Sequence, residues 1–548
     1  MSDVLGSAAW STDQGHWRYE PLGSAGSAMQ GSFLLLGQNW NSPGYLHVRS
    51  PNQHMLSVAP TRSGKGVSLI IPNLLNYRGS VLVIDPKGEN AWVTAPYRRD
   101  VLGQKTLIVD PWNEVNRIYG SMAGIEERIA RFNPLSILEP GSDDFVEDLA
   151  YLADALIITE SSREPYFDNT ARELWAGLMA YVVENPEFSG HASLELARKL
   201  LVKKDEELAR TMRAAIDLGP GSVAAQKLAQ FEAFRGSTSI MSVISSARTQ
   251  TGFLDNPKLN ETMSSSDFSF EELCRGNVSI YLVLPPDKLE TFGRWLRLMV
   301  SAGLRAVARR GSQSPLGLPA LFMLDEFGTI GKLDAVARAY GLMAGLGMIM
   351  WSFSQDLNQL NRDYPQHWET FIGNSQAMTC FGVMDNFTAE YISKMLGIRT
   401  IEQTNVSTTH DGSFTSVALS TTTSKQTMSR ALLNPDEVRG LGSDFGIIMG
   451  RFPPIYSRRI VYHEDWDLLH RARPDPRFPR TENVRWRALQ RRLFEMGSVA
   501  RLLKEYGFEV KARWRGRWEV NSRDGSYTRT FANDNELWMW TYVLVMDA

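Results

Sequence analysis

"SVAPTRSGKGVSLIIPNLL", residues 57–75, sets small residues and one lysine between a strand-sized apolar segment and a helix-sized one. A phosphate-binding loop usually reads G-x-x-x-x-G-K-[ST] between a strand and a helix. Here Ala59 stands where the first glycine belongs, and Gly66 where the Ser or Thr belongs. In such a loop successive backbone N–H groups point inward and the next helix adds its positive end. Backbone donors do not depend on side chains, so Ala59 is tolerable if its φ is negative. Gly64 stands where the backbone approaches phosphate closely, and Lys65 supplies a point charge for the outer phosphates. The hydroxyl missing at Gly66 normally ligates magnesium; Ser63 or a water is the available substitute. Thr61, Arg62, Ser63, Gly64, Lys65, Gly66 and Val67 are therefore the candidate nucleotide-binding residues. The alternative is a turn of small residues with no ligand.

A second stretch weighs against that alternative. "PALFMLDEFGTIG" (319–331) is an apolar strand that ends in Asp325 and Glu326 and leaves through glycines. A hydrolytic partner to a phosphate loop needs carboxylates at a strand tip. Asp325 would bind magnesium or its water shell, and Glu326 would polarise the attacking water as general base. The next apolar run, "MIMWSFSQDL", ends in Gln355. Neighbouring strand tips meet at one edge of an open α/β sheet, where ligands bind, so Gln355 would face the γ-phosphate. Together these residues describe an ATP and magnesium site of an unusual subtype, with Lys65, Asp325, Glu326 and Gln355 as its catalytic set.

Composition limits the rest. The chain has 548 residues, enough for two or three domains. A net charge of −3 gives no global basic field, so any nucleic-acid surface must be local. Cys274 and Cys380 lie far apart and form no metal-ligand pattern, which suits a reducing compartment. No run approaches the roughly 20 apolar residues of a membrane-spanning helix. The start of the chain lacks the basic and apolar regions of a signal peptide. The expected location is cytoplasmic, peripheral to the inner membrane only through partners.

The hydrophobic pattern implies an α/β fold interrupted by an all-α insertion. Residues 1–50 read as a strand-rich lead-in. From 51 to 138, apolar runs such as "SVLVID" and "TLIVD" read as buried parallel strands. From 139 to 272 the spacing turns helical, as in "FVEDLAYLADALI", "NTARELWAGLMAYVVE" and "SLELARKLLVKKDEELARTMRAAI". Strands return from 273 to 470. Residues 404–429 hold 14 Ser or Thr in 26 and few large apolar groups, which suggests a mobile loop. Asp85, Lys87 and Glu89 in "DPKGEN" (85–90) form either a loop supporting the nucleotide edge or a subunit contact, or a plain solvated turn.

A Pro/Arg linker, "RARPDPRFPR" (471–480), leads into a C-terminal α+β piece, 480–548. Between 471 and 517 there are 14 Lys or Arg against 5 Asp or Glu, so this end is locally basic. "EVKARWRGRWEVNS" alternates like one half-exposed strand, with Trp514 and Trp518 on one face and Arg513, Arg515 and Arg517 on the other. "NSRDG" marks a hairpin turn. The tryptophans are either core or part of a docking surface for nucleic acid or an acidic adaptor.

With these residues set out, the chain resembles the conjugative DNA-transfer ATPases, the coupling proteins of type IV secretion systems. The likeness runs from about 30 to 465, through "APTRSGKGVSLIIPNLL", "GSVLVIDPKGEN", "RFNPL", "ELWAGLMAYV", "LDEFGTIGKL", "QDLNQL", "AEYISKMLG" and "LLNPDEVRGL". In that family Ala and Gly at the two odd loop positions are usual. The resemblance implies a RecA-like P-loop ATPase domain, an inserted all-α domain and ring-shaped homo-hexamers. It also implies ATP-driven passage of single-stranded DNA, a nucleoprotein or protein substrates, with adaptors and secretion-channel components as partners. The chain departs from the family in having no membrane-spanning helices. Where some relatives carry a trans-acting arginine it has Ala344; Arg338 or Arg248 is the available replacement. Two alternatives stand beside this reading: a nucleotide-gated docking protein that does not pump, and a stand-alone DNA-translocating ATPase of a mobile element.

Overall fold

The computed structural model describes residues 7–11, 33–39, 45–49, 51–120, 129–158, 165–233, 236–329, 331–410, 418–442, 444–477, 499–513 and 517–531, with 537, 540, 541 and 544. In chain order the strands begin with β1 (Phe33–Asn39), β2 (Tyr45–Arg49), β3 (His54–Val58), β4 (Val81–Asp85) and β5 (Lys105–Val109). They continue with β6 (Val278–Val283), β7 (Ala320–Leu324), β8 (Met348–Ser354) and β9 (Ser375–Cys380). Then come β10 (Ile398–His410), β11 (Ala418–Ala431), β12 (Phe445–Gly450) and β13 (Phe452–Arg458). The last are β14 (Phe508–Arg513), β15 (Arg517–Ser522) and β16 (Thr528–Phe531).

Eleven of these form one sheet in the order β2-β1-β13-β12-β9-β3-β8-β7-β4-β6-β5. Neighbours from β9 to β5 pair in parallel, and β2, β1, β13 and β12 extend one edge antiparallel. The parallel strands β4, β5 and β6 are Val/Ile/Leu-rich, as suits strands covered on both faces. Alternate side chains sort into two apolar layers. Leu56, Val58, Leu82, Ile84, Phe322 and Leu324 face one, and Met55, Val81, Val83, Leu321 and Met323 face the other. The strand-rich start is part of this sheet. Asn73, in the helix Ile71–Leu74, accepts from Leu35 N–H at 2.7 Å and donates to Leu35 C=O at 2.9 Å, tying β1 to the phosphate-loop helix.

Between β5 and β6 the described elements are helical. The longest are Phe145–Leu156, Pro165–Glu184, Asp205–Ile216, Val223–Ala233 and Thr238–Gln250. The run 193–216, expected to be helical, holds two helices, Leu194–Leu201 and Asp205–Ile216. Ser193 caps the first by accepting from Leu196 N–H, and three acidic residues, Asp205, Glu206 and Glu207, open the second.

Three expectations need correction. The Ser/Thr-rich stretch 404–429 is not an irregular loop, because β10 and β11 pair antiparallel from Ile398↔Ala431 outward to His410↔Ala418. Its β-branched threonines stand opposite one another, as at Thr408↔Thr421, and such pairs stabilise a ribbon without a core. Residues 411–417 lie outside the described residues. The second correction concerns 509–522, which is two antiparallel strands meeting at Arg513↔Arg517 rather than one. A face shared by Trp514 and Trp518 along one strand is thereby excluded; Trp514 and Arg515 lie outside the described residues. Trp518 packs, half-buried, on Leu503, Val520, Phe531 and Leu537, as a core residue would. The hairpin at "NSRDG" is present, between β15 and β16. Third, the described part of the expected linker lies against the helix Glu89–Asp100. Arg473 N–H donates to Val93 C=O, its guanidinium lies 3.6 Å from the Trp92 ring centroid, and Trp92 Nε1 donates to Pro474 C=O at 3.0 Å.

Candidate nucleotide site

The sheet order brings the quoted residues together. β8 lies between β3 and β7, with Val58 opposite Ser354 and Leu324 opposite Ser352. Parallel neighbours end at the same edge, so the loop after β3, the Asp325–Glu326 pair after β7 and Gln355 after β8 meet there. Lys65 Nζ is 2.7 Å from Glu326 Oε1 and 3.5 Å from Asp325 Oδ1. Gln355 Nε2 donates to Glu326 Oε2 at 2.9 Å. Four residues from three strand tips thus form one connected cluster.

Backbone conformation shapes the loop. Arg62 and Gly64 take positive φ, 64° and 89°, whereas Ala59 does not, as its replacement of glycine requires. Ala59 N–H donates to Ser354 C=O at 2.9 Å, anchoring the loop to β8. The helical turn Gly66–Ile70 begins directly after Lys65. A Cβ at Gly66 would meet nothing within 4 Å, so glycine is not sterically required there. Ser63 Oγ, considered above as a stand-in for the missing hydroxyl, donates to Pro60 C=O at 2.6 Å. Thr61 and Arg62 are exposed and Val67 is half-buried.

Electrostatics distinguish the two carboxylates. Burial pushes the Asp325 carboxyl above its ordinary range, with Lys65 opposing and Glu326 adding to the shift. Burial also works against charge on Glu326, but the Lys65 ammonium, its hydrogen bond and the Gln355 amide outweigh it and hold this carboxyl below its usual value. Glu326 takes a left-handed φ of 51°, and its N–H donates to Asp325 Oδ1 at 2.9 Å. A non-glycine residue so held costs on the order of 1–3 kcal/mol, a strain that tends to gather at functional sites. Gly328 lies on the same exit, where a Cβ would overlap the Gln359 side chain. That Gln359 in turn accepts from Gln355 N–H at 3.3 Å.

Among the described residues no three His, Cys, Asp or Glu side chains converge to hold a metal by themselves. This donor set fits magnesium, which usually takes one or two carboxylates and completes its shell with phosphates and waters.

Two residues outside the candidate catalytic set join the cluster. Arg459, just beyond β13, donates through Nη1 to Ser63 C=O and to Ser68 Oγ (3.2 Å) and lies 5.4 Å from the Phe381 ring centroid. A Cβ at Gly64 would overlap Arg459 Nη1. Only the charged "SRR" after an apolar strand hinted at this residue, since 395 positions separate it from Gly64. Asp85 ends β4, next to β7, and accepts from Ala91 N–H at 2.8 Å. Burial, with the Glu89 and Asp325 carboxylates adding to it, pushes Asp85 up to about 7. Glu89 is ion-paired to Arg477 at 2.9 Å, so part of "DPKGEN" is engaged within the chain. Of the possible arginine replacements, Arg248 is bound to Leu201 C=O, Lys203 C=O and Asp205.

A family described as "Type IV secretory system Conjugative DNA transfer" matches residues 11–492. A conjugal transfer protein TraG of Escherichia coli is 27% identical over 457 residues, covering 77% of this chain and 69% of its own. A protein VirD4 of Rhizobium radiobacter is 27% identical over 424 residues, covering 76% and 58%. Among solved structures, unbound TrwBdeltaN70, a bacterial conjugative coupling protein, gives a TM-score of 0.55 at 15% identity over 74% of this chain and 85% of its own. The plasmid coupling protein TrwB in complex with ADP and Mg2+ gives 0.54 at 16% identity over 75% and 86%. The structural likeness is one of fold, an α/β RecA-like ATPase fold. No described helix is long and apolar enough to cross a membrane.

Proposed function

Because the chain belongs to the type IV secretory system conjugative DNA-transfer family, we propose that it is an ATPase coupling nucleotide hydrolysis to substrate passage. Lys65 grips the β- and γ-phosphates, and the loop amides of Thr61–Val67 cradle them. Asp325 would hold magnesium, which would supply neutralising charge to the transferred group. Glu326 orients and deprotonates the attacking water, and Gln355 reads the γ-phosphate. The observation that carries this reading is the convergence of Lys65, Glu326 and Gln355 within hydrogen-bond distance at three strand tips.

Lys65 lies 2.7 Å from Glu326. Phosphates arriving in the loop compete for that ammonium and release the carboxylate for water, so substrate binding itself arms the base. Solved TrwB structures hold ADP with Mg2+ and non-hydrolysable ATP and GTP analogues, which supports nucleotide and magnesium for this chain too.

The motor works as a homo-hexamer that passes single-stranded DNA, a nucleoprotein or protein substrates to a type IV secretion channel, reaching the membrane through partners. The motor core spans 51–138 and 273–470 and is interrupted by the helical domain 139–272, with 480–548 as an accessory domain. Steady-state ATP turnover with and without single-stranded DNA tests this reading. Turnover no higher than that of a Lys65→Ala control would leave the protein a nucleotide-gated docking factor instead.

A further inference from the structure

A second polar cavity, of about 340 Å³, lies away from the strand tips. Its walls come from the helical segment between β5 and β6 and from the chain that leaves the catalytic carboxylates. Arg172 is on helix Pro165–Glu184, Arg297 and Ser301 are on helix Leu289–Arg310, Lys332 precedes helix Asp334–Leu342, and Arg338 is on it. Four cationic side chains line it against two carboxylates, Asp154 and Asp334. Asp154 is paired with Arg172 at 2.8 Å and Asp334 with Lys332 at 3.4 Å.

Three features mark this as more than a solvated cleft. Arg297 is buried, with Nε donating to Ala155 C=O at 3.0 Å and Nη1 to Lys332 C=O. Burial pulls its guanidinium down to about 10, still cationic at neutral pH. The Ser301 hydroxyl is 1% exposed and, with the buried Tyr151 hydroxyl, has no hydrogen-bond partner among the described residues. Unmet buried hydroxyls are costly, which makes them ready donors to a ligand. Finally, no described hydrogen bond or ion pair engages Arg338, although it lines the same cavity.

We propose that this cavity is an anion site that binds a phosphate group, held by Arg338 and by the Ser301 and Tyr151 hydroxyls, while Arg172, engaged with Asp154, Asn169 and Ile157 C=O, adds positive charge to the wall. Guanidinium forks with neutral hydroxyl donors suit the several acceptor oxygens of a phosphate. The phosphate comes either from a free polyphosphate or nucleotide or from the backbone of a bound nucleic acid. Lys332 and Arg338 follow Glu326 by 6 and 12 residues, so a ligand drawn between them and the helical segment pulls on the exit from the catalytic carboxylates. The site thus joins substrate or nucleotide status to the segment carrying the base. It is distinct from the phosphate loop and does not depend on turnover.

The test uses the full-length Lys65→Ala protein, in which the loop's phosphate grip is removed, titrated calorimetrically with pyrophosphate in one arm and short oligothymidylate in the other. The expected result is saturable binding in at least one arm, weakened about tenfold or more by adding Arg338→Gln, the loss of one charge-assisted contact. Ser301→Ala should weaken it in the same arm. Arg338 is exposed and makes no described contact, so its replacement should leave the melting temperature unchanged. Binding in the pyrophosphate arm identifies a free-phosphate ligand, and binding confined to oligothymidylate identifies a nucleic-acid backbone. Binding in neither arm, or binding unaltered by Arg338→Gln, overturns the proposal and leaves the ATPase reading untouched.

Discussion

Lys65 Nζ stands 2.7 Å from Glu326 Oε1, joining the tips of two strands that are separated in the sheet by a third. The contact neutralises a half-buried carboxylate beside the half-buried Asp325. Lys65→Ala leaves two carboxylates facing each other without a cation. Breaking a fully buried pair in this way costs about 3–5 kcal/mol, the upper bound here. The wild-type Glu326 carboxyl is held below its ordinary value, so its contribution is present above the unfolded pKa and is lost as pH falls through the folded one. Urea denaturation of the unliganded proteins should therefore show a large gap at pH 8 that narrows only once the pH falls below 4.5, the group's ordinary value. A gap independent of pH would mean that the pair is not the cause.

Asp85 predicts the opposite pH trend. Its carboxyl is pushed up to about 7 from an ordinary 3.8, so the folded state takes up a proton that the unfolded state does not. Its favourable contribution is complete below 3.8 and disappears as pH rises through 7. The cost at high pH is on the order of 4 kcal/mol at most, at 1.36 kcal/mol per pK unit. Asp85→Asn keeps an acceptor for Ala91 N–H and removes the charge. Melting temperatures should rise relative to wild type at pH 8 and show little difference at pH 4.

Gly64 and Arg459 form a steric pair across the loop. Gly64→Ala is disfavoured twice, by a left-handed φ worth about 1–2 kcal/mol and by overlap with the guanidinium. In an Arg459→Ala background only the first remains. A double-mutant cycle in urea should show that Gly64→Ala costs less in that background than in wild type. Equal costs would place Arg459 away from the loop.

Much of this site was legible because strand tips in a parallel sheet are set by hydrophobic runs. "MLSV", "ALFML" and "MIMWSFS" each locate an edge, and the phosphate loop, Asp325 and Gln355 that follow them fall at it. The intervening position of β8, which sets Gln355 between Lys65 and Glu326, follows from pairing and is invisible in the order of the chain. Arg459 was missed for a similar reason, since no local pattern links it to a loop so far away. The ribbon is not legible in composition, because opposed threonines hold two strands together without the large apolar groups that mark a buried element. The reversal between Arg513 and Arg517 is hidden in the sequence because alternation runs unbroken from one strand into the next.

The ribbon register can be checked directly. Asn405 and Ser424 are directly opposed, whereas Asn405 and Gln426 are not. Cysteines at 405 and 424 should cross-link under mild oxidation, and cysteines at 405 and 426 should do so far less. Both native cysteines are buried and should not interfere. Equal cross-linking of the two pairs would restore the mobile loop.

The central claim is that Glu326 acts on water in a site that Lys65 holds for nucleotide. Glu326→Gln keeps the side chain's size and its contact with Gln355 while removing the base. The most direct measurement is steady-state ATP hydrolysis by this variant and by wild type, with ATP affinity measured in parallel on the same preparations. The expected result is affinity within a few-fold of wild type and turnover lower by about 10²–10⁴, the usual range for a general base. Turnover close to wild type, with affinity unchanged, would contradict the assignment and move the chemistry to another residue.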